Sequence, residues 1–112
     1  MSYTEAFAEA MASKGVPIDA SVIPEQEAVD SDLDALDAWL SSLDEDTHAA
    51  IDMVTAENPI KAGLANQSVG IVQAIGPLLA AFDSQPASIS ISTALEMLKD
   101  ASATAAANVN NA

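Results

Sequence analysis

Apolar residues recur along this chain at the three- and four-residue spacing of amphipathic helices, with no sustained two-residue alternation. The clearest stripe is Val29, Leu33, Leu36, Leu40 and Leu43. It predicts a helix from Glu25 to Leu43, with Asp30, Asp34, Asp37 and Asp44 on an adjacent stripe as an acidic face. A shorter helix is predicted over Thr4–Ser13, because Tyr3, Phe7 and Met11 repeat every four residues and Gly15 supplies a stop. Pro17 and Pro24 bracket a linker that holds Ile18, Val22 and Ile23. Asp44-Glu45-Asp46 reads as a turn whose acids cap a third helix over Thr47–Glu57.

Asn58-Pro59 closes that helix and opens a fourth. Ile60, Leu64, Ile71, Ile75, Leu78, Leu79 and Phe82 give it an apolar face, and Gly76-Pro77 should kink or break it. After a turn at Asp83–Pro86, a last helix is predicted from Ser88 to Ala107, with Ile91, Leu95 and Leu98 inward. Ser88–Ser92 alternates as a short strand would, but over too few residues to outweigh the helical spacing. The expected fold class is therefore all-α, with about five helices. They form either a small helical bundle or elongated helical hairpins completed by oligomerisation.

Composition changes how those helices are expected to pack. The chain is half hydrophobic, yet it holds two Phe, one Trp and one Tyr, and much of the rest is alanine. Alanine favours helix but buries little area, so close backbone approach replaces bulky side-chain packing. Gly63 and Gly70 lie seven residues apart on one face of the fourth helix. Each costs a helix about 1 kcal/mol against alanine, and contact with a second backbone would explain the stripe. Gly63, Gly70, Ile71, Ile75, Leu78 and Phe82 are accordingly the expected contacts for assembly or a partner.

Charge divides the chain. There are 17 acidic residues against three lysines and no arginine, a net charge of −14. Residues 1–57 form an acidic half in which only Lys14 is basic; residues 58–112 form a near-neutral Ala/Gly-rich half. The two compose a single domain or one assembly subunit. Such a field repels nucleic-acid phosphate and anionic lipid and favours a basic protein surface. The uncharged run Ala62–Phe82 has the length of a membrane span. Asn66, Gln67, Ser68, Gln73 and Pro77 interrupt it and no basic flank orients it, so no span is expected. The acidic N-terminus does not read as a secretory signal, and the expected location is cytoplasmic, with leaderless export or a virion as alternatives.

Catalytic and metal-binding patterns are weak. Without cysteine there is no thiolate site, and His48 alone cannot form a His-paired zinc site or a His-based triad without a substitute base. Asp30, Asp32 and Asp34 match the first oxygens of a calcium loop. Ala35 and Ser41 stand where that loop needs its glycine and its bidentate glutamate. Asp30-Ser31 resembles the start of the Asp-Ser-Leu triplet of acyl carrier proteins, but Asp32 interrupts it. No enzyme activity, metal or cofactor is expected.

Asn58-Pro59, Gln67, Pro77 and the closing Ala- and Asn-rich stretch Ala103–Ala112 together resemble the RebB-type R-body proteins, small bacterial structural subunits. The likeness covers about half the chain; Asn66 and Gly76 stand where that family has Thr and Ala, and its Gln-rich ending is missing. The resemblance implies self-assembly into ribbons that extend on acidification. The residues alone lead to a broader expectation: a non-enzymatic helical subunit acting by self-assembly or protein–protein contact, with a pH-responsive polymer as one form of it. The rival is a monomeric acidic inhibitor or nucleic-acid mimic, for example viral, whose acidic face occupies a basic protein site.

Overall fold

The computed structural model describes residues 2–53, 74–85 and 89–110. Among them are five α-helices, one 3-10 turn and no strand: α1 (Tyr3–Ser13), the turn Ala20–Val22, α2 (Gln26–Ser42), α3 (Glu45–Met53), α4 (Gly76–Asp83) and α5 (Ile91–Asn110). The protein is all-α. Helix α5 packs most extensively on α1, next on α2, and lightly on α3.

Local chemistry sets most of the boundaries. Ser2 caps α1: its hydroxyl accepts from the Glu5 amide and donates to the Glu5 carboxylate, a reciprocal capping box. At the other end the Gly15 amide bonds the Ala12 carbonyl and the Val16 amide bonds the Met11 carbonyl. This is the Schellman arrangement, with Gly15 at φ +89° and Val16 folded back beside the buried Met11. Asp19 caps the 3-10 turn through the Ser21 amide. Helix α2 carries the predicted stripe inward, with Val29, Leu33, Leu36 and Leu40 buried.

One boundary, at Asp44, differs from the sequence reading. Helix α2 ends at Ser42, so Asp44 is not part of its acidic stripe. Instead the Asp44 carboxylate accepts from the Thr47 amide at 2.6 Å and starts α3 two residues earlier than predicted. The break predicted at Gly76-Pro77 falls at the start of α4, where Pro77 stands in the first turn and its missing N–H is harmless. Ser90 and Ile91 begin a helix rather than a strand, the Ser90 hydroxyl capping the Thr93 amide.

One core joins both halves of the sequence. Phe7, Met11, Val16, Val29, Leu33 and Leu36 from the acidic half are buried with Leu78, Leu79, Leu95 and Leu98 from the near-neutral half. Tyr3 and Phe7 meet with ring centroids 5.9 Å apart in a tilted geometry. Ala94, Ala101 and Ala105 are also buried on α5, so small side chains let that helix lie close to its neighbours. No described helix is long and apolar enough to cross a membrane.

Candidate functional site

The expected contact residues divide sharply. Gly63, Gly70 and Ile71 lie outside the described residues. Ile75 and Leu78 are fully buried and Phe82 is 4% exposed, all within the chain's own core. Packing inside one chain already covers these three side chains.

The acidic face is also rearranged. Asp37 is ion-paired with Lys99 of α5 at 3.0 Å. Asp30 accepts the Ser102 hydroxyl of α5 at 2.6 Å. Asp34, between them on α2, is exposed and has no ion-pair or hydrogen-bond partner among the described residues. Asp44 serves as the cap described above. The acids of this stripe therefore do three different jobs, and two of them fasten α2 to α5.

Ser102 organises a polar chain through the packed helices. Its hydroxyl hydrogen goes to Asp30, so the Tyr3 hydroxyl must be the donor in the 2.6 Å contact between Tyr3 and Ser102. Ser102 is only 4% exposed, the one polar residue in an otherwise apolar buried set among the described residues. Burial raises the tyrosine pKa, opposed by the Ser102 hydrogen bond, with the Asp30 charge adding to the rise. Three helices, α1, α2 and α5, are thus joined by Tyr3, Asp30 and Ser102.

A groove lies next to this chain. It holds about 330 Å³ and is lined by Gln26, Asp30, Leu33 and Asp34 from α2 and by Lys99, Ser102, Ala103 and Ala106 from α5. Its lining combines the small side chains of Ala103 and Ala106 with two carboxylates one helical turn apart. Lys99 lines the groove, but its ammonium is engaged by Asp37. The sequence reading had placed Asp30 and Asp34 on a face but missed Tyr3, Ser102 and Lys99. The signal for Ser102 was present: it continues the Ile91, Leu95, Leu98 spacing, which puts a hydroxyl on a buried stripe.

Two other polar contacts cross between elements. The Asp32 carboxylate accepts the Ala74 amide at 2.6 Å and the Ile75 amide at 3.3 Å, anchoring the start of α4. Both amides precede the first helical residue, so Asp32 tethers the entry to α4 rather than capping the helix itself. His48 Nε2 lies 3.5 Å from the Ser92 hydroxyl, a long contact between α3 and α5. Among the described residues, no three His, Cys, Asp or Glu side chains converge to hold a metal ion. Compared with known proteins, the chain matches no family model, no curated protein and no solved structure.

Proposed function

We propose that this chain is a non-enzymatic helical protein that acts by contact with a protein bearing a basic surface. Uncompensated surface charge carries this reading. Both lysines among the described residues are already held, Lys14 by Asp100 and Lys99 by Asp37. Glu9, Glu25, Glu27, Asp34, Glu45 and Asp46 remain exposed, and among the described residues no lysine is left unpaired to meet them. Such a field concentrates cationic partners and speeds their association, most strongly at low salt. Ile75, Leu78 and Phe82, three residues that could have driven assembly, are meanwhile buried in the chain's own core, which supports a contact made through charge.

A labelled ten-residue lysine/arginine peptide tests this by fluorescence anisotropy at low and at physiological salt. The expected result is saturable, salt-weakened binding that is lost when Glu27, Asp34, Glu45 and Asp46 are neutralised together to Gln or Asn. Undiminished binding by the neutralised chain, or no binding at low salt, overturns the reading. A self-assembling subunit is the second reading. It is favoured by the sequence of segment 60–73, in which Lys61 is the one charged residue and Gly63 and Gly70 stand seven residues apart.

A further inference from the structure

The groove between α2 and α5 has a composition that a general acidic surface lacks: small apolar side chains beside two carboxylates. Resting on the proposed contact with a basic protein, we propose that this groove receives one arginine side chain of that partner. Its volume, about 330 Å³, lies at the small end of the range of about 300–1,000 Å³ for ligand pockets. That size suits a single long side chain. Ala103 and Ala106 offer apolar surface to the methylene stem, as amphipathic side chains require.

The head group is selected at the rim. Asp30 is held in place because its Oδ1 accepts from Ser102, which Tyr3 in turn supports. Its Oδ2 accepts no hydrogen bond from any described residue, and the Asp34 carboxylate one turn away is equally open. A planar guanidinium with five donors can serve both carboxylates at once. A lysine ammonium is compact and more strongly hydrated, so it gains less in a half-apolar groove. Lys99 also lines the groove, but Asp37 holds its ammonium at 3.0 Å and offsets its charge, leaving Asp30 and Asp34 without an ion-pair partner among the described residues.

The test is a ¹⁵N-resolved NMR titration of the full chain with N-acetyl-arginine methylamide, and with the matching lysine derivative. Saturable shifts are expected at Gln26, Asp30, Asp34, Ala103 and Ala106, with the lysine derivative binding several-fold more weakly. Asp34→Asn changes an exposed side chain and is expected to weaken the arginine derivative about tenfold, the scale of a charge-assisted hydrogen bond. Ala103→Leu, at an exposed position, fills the groove without altering charge and is expected to abolish the shifts while the spectrum stays dispersed. Unchanged binding by Ala103→Leu, equal affinity for the two derivatives, or shifts centred on α3 overturns the proposal. If the basic peptide still binds while the groove resonances stay still, the groove assignment falls and contact through the acidic surface stands. If the peptide does not bind at all, the broader reading falls too.

Discussion

At Ser102 a single hydroxyl both accepts from Tyr3 and donates to Asp30, and it does so 4% exposed. Removing it leaves two polar groups short of a partner in a partly dry setting. Ser102→Ala is therefore expected to cost about 1–3 kcal/mol, the range for unsatisfying a buried hydrogen-bonding group. The readout is a lower urea midpoint with an unchanged slope; an unchanged midpoint would show that water replaces the hydroxyl without loss. Tyr3 adds a pH signature. Its folded pKa lies above the usual 10.0, so its contribution is complete below that value and is lost as pH rises through the folded pKa. Tyr3→Phe is expected to flatten that alkaline loss in thermal melts between pH 9 and 12, while losing the hydrogen bond at neutral pH. A melt that steepens as before would place the alkaline sensitivity elsewhere.

Among the elements, helix ends show how acids without cations can still stabilise a fold. Glu5, Asp19 and Asp44 each have a lowered pKa because hydrogen-bond donors at a helix or turn start, chiefly Ser2, Ser21 and Thr47, bind the carboxylate. For a depressed carboxylate the stabilisation is present above the ordinary value, 3.8 for Asp44, and is lost as pH falls through the folded pKa. Amide exchange at Glu45–His48 should accordingly speed up as pH drops below about 4, after correction for intrinsic rates. Asp44→Ala should show the same loss of protection at neutral pH. Asp32 acts across elements: Asp32→Ala removes the acceptor for Ala74 and Ile75 and should raise exchange over α4 selectively, whereas Asp32→Asn keeps an acceptor oxygen and should change it less.

Much at this scale was legible in the residues. The 4-3-4 leucine spacing places α2, the four-residue repeat with Gly15 bounds α1, and Ile91, Leu95 and Leu98 orient α5. The Ser2-to-Glu5 capping box was also readable as a sequence pattern, although it was not used to place α1. The boundary at Asp44 is harder to read, because a carboxylate at a helix edge can belong to either neighbour, whereas Gly76-Pro77 marks the start of α4 directly. The site was far less visible. Asp30 pairs with Ser102, 72 residues away, and Asp32 with Ala74, 42 residues away. Periodicity says which face a residue occupies, and it cannot say which distant helix will meet that face.

For the molecule as a whole, the division of charge does not become a division of structure. The acidic and near-neutral halves share one core, and α5 from the second half packs chiefly on α1 from the first. Leu98 sits at that shared centre, fully buried. Leu98→Ala is expected to cost about 2–5 kcal/mol through lost burial and the cavity left behind, read as one cooperative loss of both halves on denaturation. Two separate transitions would contradict the shared core. The same packing bears on function: Ile75, Leu78 and Phe82 are already covered, while the acids on the outside have few cations to meet. The central claim is thus a chain that completes its own core and keeps its charge for a partner. Size-exclusion chromatography with light scattering, run from pH 7 to pH 4.5, tests it most directly. A constant single-chain mass across that range is the predicted result, and growth into polymers on acidification would contradict it.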